Sequence, residues 1–214
     1  MKLESLRSAV LVLAVLVGAP ACRHASDVPG SLQLQLTWTP TDDTREVPSS
    51  VLTALMKQTL QVMPFTDQRS NQAQVGSNLE ERNARPVTTG DNVGLYVSAR
   101  VSDIFRDVGG RVVPSGATRV LKGDITQYFV TEDHIYKARV ALHLTLQDGA
   151  GAPLWEGMTS GVANRWGSSF SERNYDEALS NALIAAVHEV LGRSDFQVAF
   201  AGQPPAAPTP VSTN

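Results

Sequence analysis

The clearest pattern in the chain is the alternation of apolar and polar residues over residues 135–147. It predicts a β-strand whose core-facing residues are Tyr136, Ala138, Val140, Leu142, Leu144 and Leu146. A second strand is predicted over residues 119–131, with a turn at 132–134. A third strand follows the hairpin turn at 148–151 and runs from Pro153 to about Trp166. These three segments predict an antiparallel meander.

Weaker strand patterns occur earlier in the chain. Residues 32–38 alternate strictly, and this places Leu32, Leu34, Leu36 and Trp38 on one face. Residues 58–65 and the short segment 112–113 also favour strands. Residues 48–57 are ambiguous and fit a short helical turn. Residues 68–91 are polar and predict a long loop.

Two segments have helical periodicity. An amphipathic helix is predicted over residues 93–108, with Asp91 or Asn92 as its cap and two glycines at its end. A second helix is predicted to start at a capping box formed by Asn174 and Glu177 and to end at Gly192. The order of elements predicts an α+β two-layer sandwich: an antiparallel or mixed β-sheet with two amphipathic helices packed on one face. We expect one domain over residues 32–200.

The N-terminal residues have the layout of a lipoprotein export signal. Basic residues precede an apolar run at 9–17, and small residues lead to Cys22, which is the single cysteine. The apolar run is too short to span a bilayer. Glu4 and Ala19 depart from the usual pattern. We expect residues 1–21 to be removed and Cys22 to carry lipid.

An ordinary secretory cleavage site near a free thiol is the alternative interpretation. A single cysteine cannot form an internal disulfide, and a free thiol is a liability in an oxidising compartment, so lipidation is favoured. Residues 22–31 then form the lipidated N-terminus and a flexible tether. Residues 201–214 are rich in proline and alanine and predict a disordered tail.

Composition and charge exclude several function classes. The mature chain would carry 16 basic and 20 acidic residues, a net charge of −4, and this does not indicate nucleic-acid binding. The four histidines lack metal-ligand spacing, and the sequence has no Gly-x-Ser-x-Gly nucleophile motif. We therefore expect no enzyme activity, no catalytic residues, no metal and no cofactor.

Two groups of residues are candidates for partner binding. Asp67 and Arg69 follow a predicted strand, and they either contact a partner or cap a turn and form an ion pair. Trp155 and Trp166 bracket the last strand, where exposed aromatic side chains would suit a lipid or glycan, although core packing is the simpler interpretation. Gly157 and Gly161 indicate a bulge or a close approach by a flat group.

The chain resembles the YajG-like group of bacterial lipoproteins over about residues 32–192. The resemblance rests on the lipidated cysteine and on the Phe-x-Asp-x-Arg motif at 65–69. Further matches lie at residues 75–76, 121–125, 136–138, 148–149, 154–155 and 175–179. The loop at 68–91 is longer than the compact members have. The resemblance implies an envelope lipoprotein without catalytic residues to transfer.

These observations lead to two hypotheses. The first is a non-enzymatic lipoprotein of the outer membrane that faces the periplasm and assists assembly, transport or maintenance of the envelope. Arg23 after the cysteine fits outer-membrane delivery. The alternative is a periplasmic protein that binds lipid or peptidoglycan. The expected partners are the membrane, through the lipid, and an envelope protein or a lipid ligand.

Overall fold

The computed structural model describes residues 30–44, 47, 49–80 and 82–202. The predicted signal peptide, Cys22, most of the tether and residues 203–214 lie outside the described residues. The described elements are, in chain order, β1 (Leu32–Gln33), α1 (Ser49–Lys57), β2 (Thr59–Val62), β3 (Thr66–Asp67), β4 (Gln74–Asn78), β5 (Arg85–Thr88), α2 (Val93–Asp107), β6 (Arg111–Val112), β7 (Arg119–Asp133), β8 (Ile135–Asp148), β9 (Pro153–Arg165), α3 (Glu172–Gly192) and α4 (Ser194–Ala201).

Strand β7 organises a mixed nine-stranded sheet. Along one side it pairs antiparallel with β8, which pairs antiparallel with β9. Along its other side β2, β3 and β4 follow one another, each parallel to a different part of β7. β5 joins β4 antiparallel, β1 joins β5 parallel, and β6 joins β2 parallel. The predicted meander is confirmed, and three short strands complete the opposite side of β7.

The helices cover the apolar face of this sheet. The six residues of β8 predicted to face the core are all buried, between 0 and 3% exposed. α3 packs across β8 and β9, while α2 lies beside β2, β3 and β6. The α+β fold with helices packed on the sheet is therefore confirmed. None of the helices among the described residues is long and apolar enough to cross a bilayer.

The predicted loop at 68–91 is wrong, because it contains β4 and β5. Each strand has one fully buried apolar side chain, Val75 and Val87, among polar residues, and β5 includes Pro86. So few apolar positions give no readable alternation. The strands form because β7 supplies a partner for β4, which then supplies one for β5.

Three other boundaries differ from the prediction. Only Leu32–Gln33 of the segment 32–38 pairs as a strand, although Leu34 and Leu36 are buried as the alternation requires. The ambiguous segment 48–57 forms the helix α1. Residues 132 and 133 belong to β7, and the chain reverses at His134, which has a φ of 57°.

The start of the last helix also differs. α3 begins at Glu172 after Ser171, so the predicted capping box is wrong. The side-chain Nδ2 of Asn174 instead donates to the carbonyl oxygen of Ser168 at 3.0 Å. This contact ties the helix to the loop that precedes it.

Gly161 lets α3 approach β9 closely. A Cβ atom at this position would overlap the carbonyl oxygen of Ala182 and the nitrogen of Ala186, and it would lie 2.9 Å from the carbonyl carbon of Ala185. The predicted close approach is therefore made by a helix backbone. Gly157 lies against the Trp155 indole instead, and the bulge between β8 and β9 falls at Leu146 and Gln147.

Candidate functional site

Asp67 and Arg69 form a buried ion pair that closes the loop between β3 and β4. Their side chains are 12% and 8% exposed. Arg69 Nε donates to Asp67 Oδ1 at 2.9 Å and Nη2 donates to Oδ2 at 2.7 Å, while Asp67 Oδ1 also accepts the backbone N–H of Arg69 at 3.1 Å. Asp67 thus caps the turn and pairs with Arg69.

The other donors of Arg69 reach backbone oxygens. Nη1 donates to the carbonyls of Gln74 and Tyr128 at 2.8 and 3.1 Å, and Nη2 donates to that of Gln72 at 2.7 Å. A guanidinium has five N–H donors, so Arg69 has an internal acceptor for each of them. Any contact of this pair with a partner would use the exposed edge of Asp67, and partner binding here stays a prediction.

A polar cleft of about 490 Å³ lies beside Asp67. It separates the segment that contains β3 from the first turn of α2. Its lining residues are mostly polar and comprise Pro64, Phe65, Thr66, Asp67, Gln72, Asp91, Asn92 and Val93. Asn92 caps α2 by accepting the N–H of Leu95 at 2.9 Å, as one of the two predicted caps. The cleft shows no apolar chamber that would hold an acyl chain.

An extended segment, residues 34–44, crosses the polar side of α3, and we call it the strap. Its backbone donors are paired mainly by side chains. The N–H of Leu36 donates to Asp91 Oδ2 at 2.7 Å, and that of Thr37 donates to Asp176 Oδ1 at 3.1 Å. Further along, the N–H of Thr39 donates to Ser180 Oγ at 3.2 Å. Side chains thus replace the neighbouring strand that the alternation at 32–38 predicts.

Asn181 holds the next part of the strap. Its Oδ1 accepts the N–H groups of Thr41 and Asp42 at 2.9 and 3.2 Å, and its Nδ2 donates to Thr41 Oγ1 at 2.8 Å. Thr41 Oγ1 also donates to Glu177 Oε1 at 3.1 Å. Residues 176, 177, 180 and 181 form a polar stripe at helical spacing. That stripe was the sequence signal for this contact, and the prediction missed it because polar stripes usually face water.

Asp176 is the most perturbed acid in this contact. Burial raises the pKa of Asp176 from the ordinary 3.8 to about 7. The hydrogen bond from the Thr37 N–H lowers this pKa, whereas the nearby charges of Glu172 and Asp91 raise it further. The neighbouring Tyr96 hydroxyl also has a raised pKa, first because it is buried and then because Asp176 is close. The strap thus packs over a carboxyl group that is costly to ionise.

Replacing Asp176 with asparagine should make the strap contact independent of pH. Between pH 4 and 7 the folded wild type keeps a proton on Asp176 that the unfolded chain has lost, so wild-type stability falls as pH rises. The free energy of unfolding of Asp176→Asn, relative to that of the wild type, should therefore increase from pH 4 to pH 7 and level off above pH 7. Urea unfolding at several pH values measures it. Glu189→Gln, on the exposed side of α3, is the control, and a pH-independent difference for Asp176→Asn would contradict the argument.

A buried polar cluster forms around Glu132, at the end of β7. Glu132 is 1% exposed, and its carboxylate accepts hydrogen bonds from the Tyr175 hydroxyl and, at 2.7 Å, from the N–H of Phe170. Burial opposes its ionisation, but hydrogen bonds from Tyr175 and the Phe170 amide keep the pKa of Glu132 below its ordinary value. Burial and then the bond to Glu132 raise the pKa of Tyr175. The sequence interpretation placed Glu132 in a turn and missed this cluster.

The two candidate tryptophans lie at opposite ends of β9. Trp155 is 8% exposed, its indole N–H donates to Asp195 Oδ2 at 3.0 Å, and its ring meets Phe196 edge-on with centroids 5.1 Å apart. Trp166 is 69% exposed. Trp155 therefore serves mainly as core, whereas Trp166 is free to contact a partner. With Gly161 covered by α3, the two glycines do not form an open platform for a ligand.

The histidines are separate from one another in the described structure. His143 lies between Asp124 and Glu156 on the outer face of the sheet, with Nε2 at 2.9 Å from the Glu156 carboxylate. His188 Nε2 lies 3.1 Å from the carbonyl oxygen of Thr44 and helps to hold the strap. Within the described residues no group of three or more histidine, cysteine or acidic side chains has a geometry for a metal ion.

No family model matches the sequence, and no curated protein matches it. Among solved structures the chain is similar to a Xanthomonas campestris protein of the DUF330 family, with 12% identity, a TM-score of 0.50, and coverage of 78% of this chain and 95% of that one. A Caulobacter crescentus protein provisionally assigned as a lipoprotein gives 11% identity, a TM-score of 0.45, and coverage of 72% and 98%. PelC from Paraburkholderia phytofirmans has 16% sequence identity and a TM-score of 0.40, and the match covers 66% of this chain and 86% of that one. At these identities the similarity is one of fold.

Proposed function

We propose that this chain is a bacterial envelope lipoprotein, held at the membrane by lipid on Cys22, whose domain has a non-enzymatic accessory role in transport or assembly. The export signal that ends at the chain's only cysteine carries this proposal. The YajG-like resemblance favours the same class. Delivery to the outer membrane, facing the periplasm, is part of the proposal and rests on Arg23.

The strap supports a role that depends on position. It ties the chain just after the tether to α3 through at least four side-chain hydrogen bonds to its backbone. A domain held this way cannot slide along its own N-terminal segment, so the short tether sets an upper limit on its distance from the lipid. Such a limited reach suits a protein that works beside the membrane.

The buried polar groups support a non-enzymatic role. Arg69 has an internal acceptor for each of its donors, and Glu132 binds Tyr175 and the Phe170 amide. These groups therefore stabilise loops of the domain. Arg69 borders an open pocket of about 320 Å³, but internal acceptors occupy all of its donors, so it has none left to bind a substrate there.

Replacing Cys22 with alanine should abolish both lipidation and membrane retention. The wild-type protein should partition into detergent and yield an N-terminal peptide whose mass includes a diacylglyceryl group on Cys22. The variant should keep residues 1–21 or appear without lipid. If loss of the protein alters envelope permeability, the wild type should restore it and Cys22→Ala should not. Mass spectrometry of the extracted N-terminus and a permeability assay measure these results.

A relocated thiol is the matched control. Cys22→Ala combined with Ser26→Cys restores the cysteine count but places the thiol outside the signal, so it should remain without lipid. An unmodified Cys22 at the mature N-terminus of the wild type would refute the anchor. Full restoration of normal permeability by Cys22→Ala would refute the proposal that the domain must be anchored at the membrane to function.

A further inference from the structure

The tether leaves the domain at one defined end. Arg85 Nε donates to the carbonyl oxygen of Gly30 at 3.1 Å, and β1 then pairs with β5 from Leu32 onward. The turn at His134 and the end of β9 at Arg165 lie at this same end, because Asn78 pairs with Arg85 and with Glu132. We call it the tether end.

The tether is shorter than the sheet is long. Gly30 lies eight positions after Cys22, and eight fully extended residue steps span at most about 28 Å. Strand β8 has 14 residues and runs about 45 Å to the hairpin at the opposite end. A lipid on Cys22 therefore keeps the tether end close to the membrane and cannot reach past the sheet to the hairpin end.

The tether end presents the most exposed large apolar side chain of the described residues. Trp166 is 69% exposed and Leu79, in the neighbouring loop, is 46% exposed. Tryptophan favours the water–lipid interface, where its apolar ring and its polar N–H are both accommodated. An exposed tryptophan at the same end of the sheet as the lipid anchor is thus placed to make such a contact.

The loop that carries Trp166 is held firmly from its inner side. The Tyr136 hydroxyl donates to the carbonyl of Ser168 at 2.5 Å and accepts the N–H of Ser171 at 3.0 Å. Phe170, with a φ of 55°, stays in the left-handed region while its N–H donates to Glu132, and the Arg85 guanidinium lies 3.9 Å from the centre of its ring. The domain therefore presents Trp166 on an ordered loop.

Charges of both signs surround this loop. Exposed basic residues are Arg82, Lys137 and Arg173. Exposed acidic residues are Asp133, Glu172 and Glu80, whose carboxylate accepts a hydrogen bond from Ser169 in the loop. A mixed ring of this kind complements zwitterionic head groups, which carry a phosphate and an ammonium together, better than it complements a strongly acidic surface. We propose that the tether end, led by Trp166, is a membrane-contact surface that rests on the phospholipid head groups around the protein's own lipid anchor.

The inference rests on the proposed lipid anchor, and fluorescence quenching by lipid tests it separately. Full-length lipidated protein would be reconstituted into vesicles of phosphatidylethanolamine with a minor fraction of phosphatidylglycerol, with part of the lipid brominated. Wild-type emission should be quenched by the brominated lipid. Trp166→Phe should lose most of that quenching, because Trp155 is buried and Trp38 is half-buried.

A reporter at the opposite end is the matched control. Met56 is 67% exposed on α1, which leads into the start of β2 at the hairpin end. Met56→Trp in the Trp166→Phe background should show little quenching. Unchanged melting temperatures would show that both variants are folded.

The possible outcomes are distinct. Protein that lacks the lipid, or that does not float with the vesicles, would refute the proposed anchor. Protein that floats but is quenched equally in wild type and Trp166→Phe would overturn the membrane contact, as would equal quenching of the reporters at positions 56 and 166. A shift of Trp166 emission that follows protein concentration, without quenching by lipid, would overturn it in favour of contact between copies of the chain.

Discussion

Gly161→Ala should destabilise the domain by about 3 kcal/mol, at the upper end of typical overpacking costs. The added methyl group would overlap backbone atoms of Ala182 and Ala186, and backbone cannot swing aside as a flexible side chain can. α3 would have to move away from β9, and the buried contacts between them would loosen. Urea unfolding of the purified protein measures the change in free energy of unfolding.

Gly90→Ala is the matched control for this prediction. It makes the same chemical change at a glycine that has no heavy atom within 4 Å of the added Cβ. Its effect should stay within about 0.5 kcal/mol, as for most surface substitutions. Equal losses of stability in Gly90→Ala and Gly161→Ala would show that α3 does not pack closely against β9 at Gly161.

Glu132→Ala should cost about 2–6 kcal/mol, since it leaves two buried donors unpaired and each unsatisfied buried polar group costs about 1–3 kcal/mol. The substitution leaves the Tyr175 hydroxyl and the Phe170 N–H without their acceptor in the protein interior. The loop that carries Trp166 should loosen as well, since Phe170 loses the contact that holds its backbone. Unfolding experiments measure the first effect, and faster amide exchange at residues 166–171 would report the second.

Two companion variants make the result specific. Asp133→Ala removes the next carboxylate of β7, which is exposed, and should cost little. Glu132→Gln keeps the shape but removes the charge. Because the folded pKa of Glu132 is depressed, its charge contributes stability above the ordinary value of 4.5, and this contribution is lost as pH falls through the folded pKa. The difference in free energy of unfolding between wild type and Glu132→Gln should therefore become smaller at acidic pH. A loss no greater than that of Asp133→Ala would refute the role of the cluster.

The long periodic elements were readable from the sequence. The strands of the meander and the helix α2 repeat their apolar positions over enough residues for the period to be clear, and the structure confirms them with small shifts in their ends. β4 and β5 were missed because each has a single buried apolar residue. Their strand character comes from pairing with β7 and with each other, which a local pattern does not contain.

The candidate site was predictable only in part. The motif with Asp67 and Arg69 was found, and the alternative of a cap with an ion pair describes its geometry. The buried cluster around Glu132 was not found, since its members are 43 residues apart in sequence and meet only because β7 ends beside the start of α3. The polar stripe of α3 was visible as a stripe, but its burial depends on the strap.

The sequence by itself determined the meander and the two main amphipathic helices, and it predicts a lipoprotein export signal with an anchor at Cys22, because each is a local pattern of charge, size or apolar period. Only the tertiary structure decided which polar residues are buried and at which glycine a helix packs closely against the sheet. It also decided that the tether and Trp166 lie at the same end of the sheet. These outcomes depend on contacts between segments tens of residues apart, and the free energy that fixes them comes from packing and hydrogen bonding across those segments.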